Sequence, residues 1–545
     1  MLIERFLCID CADFKENQEE FMVIKQKKVP RANLTPVPEN LFETKEKIES
    51  THTSELVIAL CGPIGSPLHE VAATLKDTLT NTFRYEKCEV IRLSKFIEDE
   101  CKQSTFNNDF ERIEKLINSG NELRENYGAN VLAELAVNMI RLEREKYKHE
   151  SGSERYETRR ICHIIDSIKN QEELELLRTI YRDMLYVVGV FSPLKIRVNN
   201  LQNRGLNDPE IWNLIDRDSG EESKNGQTVR DTFPMSDFFL RVDRATDIQV
   251  TRRVERFLHL MLGTKILTPT PSESAMYAAA SAAGNSACLS RQVGAALTDA
   301  EGQVLAIGWN DVPKSGGGLY MSYISSEATE ENDNRCWNKG GGKCFNDEEK
   351  DLLAKAVSAF LVEEEIILKS KQTEAALAIA RTPKLRGLIE FSRSIHAEMH
   401  AILSAARSNG SKISGGKLFV TTYPCHSCAR HIIAAGIKEV IYIEPYRKSL
   451  AMKLHGDAIS ESETAGADFV KILPYDGVAP SKYLSLFRMK PDSRKRDGKM
   501  IKIVAKDANP RLEKSLEALP ALEGIVVKSL ISKQLIVEEQ NEKES

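Results

Sequence analysis

The sequence predicts an α/β protein with two sheet-bearing domains in one chain. Three observations point there. The 545 residues exceed what one hydrophobic core organises. Short apolar strands alternate with helical stretches from about residue 55 onward, the signature of a parallel sheet covered on both faces. A second alternation begins near residue 270 and ends in a helix-strand-helix-strand unit. Residues 1–50, charged and interrupted by prolines in "KVPRANLTPVPENLF", read as an N-terminal extension. The first domain, 51–267, opens on the strand and turn "IALCGPIGSP" and the helix "LHEVAATLKDTL". It continues through "EVIRLS", "NVLAELAVNMIRLEREKY", "RRICHIIDS", "EELELLRTIYRDM" and "LYVVGVFS", and closes on "DFFLRVDRATDIQVTRRVERFLHLML". The second domain, 268–490, starts with the alanine-rich helix "SESAMYAAASAAGNSA", given a serine cap. The hairpin "QVGAALTDAEGQVLAIGWN" turns at "DAEG", and a polar, glycine-rich insertion spans 311–350, a loop length that is more often functional than idle. Residues 491–545 form a basic stretch, "SRKRDGKMIKIVAK", and end in a tail, "EEQNEKES", expected to be disordered.

Composition narrows the function classes. A formal charge of -5 gives no general attraction to nucleic-acid backbones. No apolar run is long enough to cross a bilayer, and charges interrupt the short apolar patch at the N-terminus, so the expectation is a cytoplasmic protein without a membrane partner. Eleven cysteines, an odd number thinly spread, do not form a disulfide framework. Of the two CxxC pairs, Cys8/Cys11 has no partner pair nearby and reads as buried or free thiols, whereas Cys425/Cys428 has a context.

That context lies between Ser392 and Glu444. "SRSIHAEMHAILSAARSNG" has Ile395, Met399, Ile402 and Leu403 at helical spacing and stops at Asn409-Gly410. A strand over Leu418–Tyr423 follows, then a helix opening at Pro424 and closing at Gly436, then a strand over Glu439–Ile443. Cys425 and Cys428, three apart, face the same way on a helix, and free N–H groups at its start favour thiolates. With His396 as third ligand they leave a tetrahedral zinc one open position, the pattern of a catalytic site. Glu398, two residues past the histidine, can reach a water there without binding metal and carry a proton to a departing ammonia. His-x-Glu followed by Pro-Cys-x-x-Cys is the zinc deaminase signature. A core histidine with a redox cysteine pair is the plain alternative, and the ordered set outweighs it. His396 and His400 also sit four apart, but H-E-x-x-H needs glutamate where Ala397 stands. Asn310, ending a strand, is a candidate for a sugar hydroxyl, Arg291 for a phosphate, and Cys288, Cys336 and Cys344 for a weakly supported second zinc.

"SRQVGAALTDAEGQVLAIGWNDVP", the His-Ala-Glu motif and "YPCHSCARHIIAAGIKEVIYIEPY" resemble the deoxycytidylate deaminases across roughly residues 270–490. With the fused first domain, "EPYRKSLAMKLHGDAI" and "PYDGVAPSKYLSLF", the chain resembles the bacterial anti-phage deoxycytidine nucleotide deaminases. The resemblance implies a cytidine deaminase-like α/β/α fold and Zn2+ held by His396, Cys425 and Cys428. It implies hydrolysis at C4 of the cytosine of dCMP or dCTP with Asn310 at the deoxyribose, depletion of dCTP during infection, a small inhibitory RNA as partner, and a homo-oligomer. The first domain resembles P-loop NTPases of the nucleotide kinase kind. Against G-x-x-x-x-G-K-[ST], Gly62 fits, while Pro67, Leu68 and His69 replace Gly, Lys and Ser/Thr. Gly62, Gly65 and Ser66 shape a turn for phosphate, Asp166 stands where a magnesium-positioning acid would, and Arg197 and Arg204 are lid candidates. Without the lysine, the expectation is a degenerate kinase domain that binds a regulatory nucleotide and gates the deaminase. The competing functions are a tRNA or single-stranded DNA base deaminase, a P-loop phosphotransferase and an RNA-binding regulator.

Overall fold

The computed structural model describes residues 52–536 apart from 101–105, 153–155, 219–227, 243–246, 323–332, 446–448, 490–493, 513–515 and 517–518. The extension over 1–50, the Cys8/Cys11 pair and the tail after residue 536 lie outside the described residues.

The run "LVIALC" forms β1 (Leu56–Cys61), buried along its whole length. A strand apolar on both faces belongs in the middle of a covered parallel sheet. It lies between β3 (Ile161–Ile168) and β4 (Leu185–Phe191), with β2 (Lys87–Arg92) outside β3 and β5 (Phe238–Arg241) outside β4, all parallel. Ile58 stands level with Ile164 on one side and Tyr186 on the other. The helices that position functional groups here are α1 (Leu68–Asn81), α2 (Val131–Ser151), α3 (Gln171–Tyr181), α4 (Asp208–Asp218) and the short α5 (Val229–Thr232).

The second sheet runs β10 (Ile459–Ser460), β11 (Val470–Pro474), β9 (Glu439–Glu444), β8 (Lys417–Thr422), β6 (Gly294–Thr298), β7 (Val304–Trp309). The first four are parallel, and the β6–β7 hairpin continues the sheet antiparallel, turning with Gly302 at φ 91°. Ahead of it, α6 (Pro271–Ala283) takes its cap from Thr270 instead of a serine. Thr270 accepts from the Glu273 N–H, and the Glu273 carboxylate accepts in return from the Thr270 N–H.

The division expected at residues 267 and 268 is not a division of the core. Val57, Leu185 and Phe239 of the first sheet share one buried cluster with Met276, Phe419, Ile441 and Tyr475 of the second. A two-residue strand, β12 (Gly477–Val478), pairs antiparallel with β5 and so completes the first sheet from the far end of the chain. Glu273 fastens this seam: it is 1% exposed, accepts from the Val478 N–H at 3.0 Å and pairs with Arg256 at 2.5 Å. The basic run forms an exposed hairpin of β13 (Lys495–Arg496) and β14 (Lys499–Met500), but the chain then returns as a packed helix, α9 (Leu519–Ser532). Glu523 of α9 joins Arg144 of α2, which also holds Glu55, in a buried ion cluster. Removing one partner from such a cluster strands charge in the interior.

His163 of β3 is also buried, its Nδ1 without a hydrogen-bond partner among the described residues. Burial and the nearby Arg144 guanidinium hold its pKa down to about 3, from 6.5. Between those values the unfolded chain binds a proton that the native state refuses, so stability is whole above pH 6.5 and is lost as pH falls towards 3. Going from pH 7 to pH 5 is expected to cost about 2 kcal/mol from this residue. Urea midpoints at the two pH values should move apart less in His163→Phe than in the natural chain.

Candidate metal centre and active-site cavity

Two helix starts build the centre. His396 is the N-cap of α7 (Ala397–Asn409), in extended conformation, and Cys425 is the N-cap of α8 (His426–Ala434), its Sγ accepting from the Cys428 N–H at 3.4 Å. The helix therefore opens one residue after Cys425 and not at Pro424, which leaves the first N–H groups free for sulfur. Helix α7 lies against the hairpin on a face of Ala397, Ala401, Ala405 and Ile402, while Leu403 is half exposed. Small side chains allow a very close approach: a Cβ on Gly308 of β7 would stand 2.3 Å from the Ala397 carbonyl oxygen. Gly308→Ala is thus expected to push α7 off the sheet, costing about 1–3 kcal/mol. Thermal unfolding and zinc stoichiometry of that variant check it, both being expected to fall.

His396 Nδ1 lies 3.3 Å from each of the two sulfurs, and all three donor atoms fall within 4.8 Å of one another. Zinc bonds of about 2.0 Å to nitrogen and 2.3 Å to sulfur at tetrahedral angles separate such atoms by roughly 3.5 Å, so the trio fits the ion without rearrangement. The electrostatics agree. The hydrogen bond from Cys428, with His396 alongside, pulls the Cys425 thiol down to about 4, and Cys425 in turn lifts His396 to about 9. Glu398, one position into α7, is 4% exposed, and burial raises its carboxyl above the ordinary range.

His396, Glu398 and Cys425 line a cavity of about 950 Å³, and Cys428 is buried beside them. Asn310 lines it, but its amide is already engaged: Nδ2 donates to the Arg291 carbonyl at 2.8 Å and Oδ1 accepts from the Val293 N–H at 2.7 Å. It holds the loop, and a sugar contact must share those atoms. Arg291 lines the same cavity and pairs with Glu444 at 2.5 Å. Sequence reasoning missed that the first sheet supplies a wall, through Gln171, Arg230 and Met235. No local signal marks them, because packing across the seam puts them there. It also missed Arg386, whose side chain has no partner among the described residues.

Other candidates resolve differently. His400 is no ligand: Nδ1 accepts from the Trp309 N–H at 3.2 Å and the ring meets Trp309 edge to face. Cys288, Cys336 and Cys344 do not bring three donors within 4.8 Å among the described residues. Glu89, Glu143 and His163 do converge, but Lys87 bonds both carboxylates and fills the place of an ion. In the first domain, Gly65 and Ser66 border a second cavity together with Asp166, which holds His69 Nδ1 at 2.5 Å. Gly62 is needed for packing, since a Cβ there would meet the Val190 carbonyl oxygen at 2.3 Å. Of the two arginines expected as lid contacts, Arg197 is buried and donates to the Ile64 carbonyl, while Arg204 lines the second cavity and pairs with Asp109.

One imidazole and two sulfurs at two helix starts, beside a buried glutamate in a nucleotide-sized cavity, define a zinc-binding deaminase active site. Residues 269–444 match the family model described as the cytidine and deoxycytidylate deaminase zinc-binding region. The chain is 53% identical over 55 residues to the deoxycytidylate deaminase of Enterobacteria phage T2, covering 10% of this chain and 29% of that one. It is 48% identical over 56 residues to ComE operon protein 2 of Bacillus subtilis, covering 10% and 29%. The chain thus spans under a third of the length of these relatives. Among solved structures, the dCMP deaminase of cyanophage S-TIM5 in complex with dCMP and dUMP is 21% identical over 38% of this chain and 99% of that chain, at a TM-score of 0.22. Among the described residues, no helix is long and apolar enough to cross a membrane.

Proposed function

We propose that the chain is a zinc-dependent hydrolase that removes the 4-amino group from free deoxycytidine nucleotides, dCMP, dCTP or both. The observation that carries this is the convergence of His396, Cys425 and the buried Cys428 at a cavity that His396, Cys425 and Glu398 line. Zinc held by those three residues supplies Lewis-acid activation, which lowers the pKa of water from about 15.7 to roughly 7. The Glu398 carboxylate takes a proton from the attacking water and delivers it to the amino nitrogen. The new C4–O bond forms, the C4–N bond breaks, and ammonia leaves. The raised carboxyl of Glu398 suits both halves of that transfer. Around the cavity, Arg291, Arg386 and Arg230 offer cationic groups for the phosphates and Asn310 borders the sugar.

Residues 51–267 serve in this reading as a degenerate P-loop domain, its five parallel strands in the order β5-β4-β1-β3-β2, that gates the deaminase. Action in the cytoplasm, supported by the lack of a long apolar run, completes the reading together with a homo-oligomer, depletion of dCTP during phage infection and restraint by a small RNA, which rest on family resemblance alone. Comparing dCMP, dCTP, CMP and a cytosine-containing DNA oligonucleotide as substrates tests it. Uracil product from the free deoxynucleotides, at least about tenfold faster than from the oligonucleotide, is expected. The reverse preference would replace the nucleotide reading with a polynucleotide one.

A further inference from the structure

The first sheet carries a second cavity, of about 790 Å³, that the deaminase reaction does not use. It opens at the carboxyl ends of β1 and β3, neighbouring strands whose connections leave in opposite directions, which is where open parallel sheets take ligands. Ile97, Ile113 and Leu116 give its lining an apolar part, and Arg92, Lys95 and Lys169 a cationic part that carboxylates such as Asp166 and Asp218 adjoin. That division suits a base and its phosphates.

The turn entering α1 lacks the lysine of a phosphate loop, yet a lysine reaches it from elsewhere. Lys169, just past the end of β3, donates to the Gly62 carbonyl at 2.9 Å and to Asp218 at 2.8 Å. Asp218, the last residue of α4, is 2% exposed, and its other oxygen accepts from the Ile64 N–H of the turn at 2.7 Å. A backbone N–H at a helix-entry turn and an ammonium group hold this carboxylate with the kind of donors that phosphate oxygens accept from. Nearby, Ser66 Oγ is buried with no hydrogen-bond partner, a hydroxyl waiting for an acceptor or donor the chain does not supply.

We propose that Asp218 is an internal anion seated in a phosphate cradle made by the turn Gly62–Pro67 and Lys169, and that the cavity binds a nucleoside polyphosphate whose phosphate displaces it. The displacement reaches the deaminase cavity over a short path. The Lys169 carbonyl accepts from the Thr228 N–H at 2.8 Å, and Gln171 and Arg230, two residues beyond each of these, line the other cavity. The first sheet thereby has a physical means of gating the second.

Asp218 and Lys169 make the test directional. Titration calorimetry of the zinc-loaded full chain with ATP is expected to show binding that is at least tenfold tighter in Asp218→Asn, where the competing charge is gone, and at least tenfold weaker in Lys169→Ala. Two residues with a merely structural role would shift affinity the same way, and that result, or no ATP binding by either the natural chain or Asp218→Asn, overturns the proposal. Inorganic triphosphate is expected to bind at least tenfold more weakly than ATP; equal affinity overturns the nucleoside part. Should either variant misfold by its melting curve, Ser66→Ala decides, since its oxygen has no bond to lose on folding: weaker ATP binding supports the cradle and unchanged binding overturns it. Neither Asp218 nor Lys169 lines the deaminase cavity, so the binding result stands or falls independently of the deaminase reading.

Discussion

Glu398→Gln is expected to keep its zinc and to lose turnover by about a thousandfold or more, at the upper part of what a positioned acid–base group contributes. The glutamine keeps the volume of the side chain in a site where the natural residue is 4% exposed, so packing of α7 against the hairpin is preserved. What it cannot do is accept a proton and return it. Because the carboxylate is not among the three converging donors, metal content should be unaffected. Single-turnover rates and zinc measured on the same preparation distinguish this from loss of the ion. Retention of most of the activity would assign the proton transfer to another group.

Cys428→Ala is expected to abolish both zinc and activity. Its sulfur is buried and stands as close to His396 Nδ1 as that of Cys425 does. Without it two ligands remain, which is one fewer than catalytic zinc sites employ, and stoichiometric zinc should fall to below about a tenth per chain. The loss should extend to stability, because an ion that binds only the folded state adds its binding energy to folding. Cys344→Ala serves as the comparison. That sulfur lies near Ser290 Oγ and outside the cluster, so zinc should stay stoichiometric. A chelator applied to the natural chain should reproduce the Cys428→Ala phenotype.

Much of the centre was legible in the sequence because its determinants are local. His-x-Glu and Pro-Cys-x-x-Cys each place their groups within one helical turn, and a helix start orients them whatever else the chain does. The alternation of strands and helices likewise announced both sheets. The features that escaped depend on long-range packing. Helical periodicity placed Ile395, Met399, Ile402 and Leu403 at core spacing; Ile402 is buried and Met399 packs against the core, but Leu403 is half exposed and α7 presses alanines onto Gly308, because close approach to a strand requires small side chains. The chain also returns for two residues to edge the first sheet with β12, and no propensity marks so short a strand. Asp218 meets Ile64 across 154 positions, and Arg230 faces the deaminase cavity only because the two sheets share a core. Asn310 shows a further limit: its place at the end of β7 followed from the strand, but the engagement of its amide by Arg291 and Val293 did not.

The central claim is that one imidazole, two thiolates and a free carboxylate form a hydrolytic centre for the cytosine of a free deoxynucleotide. Stoichiometric release of ammonia and of the uracil nucleotide from dCMP and dCTP, followed while zinc is titrated into metal-stripped protein, tests it most directly. No product is expected at zero zinc, with a rise that ends at one zinc per chain and no rise in Glu398→Gln. Product formation that ignores zinc, or a fully zinc-loaded protein that leaves both nucleotides intact, would contradict it.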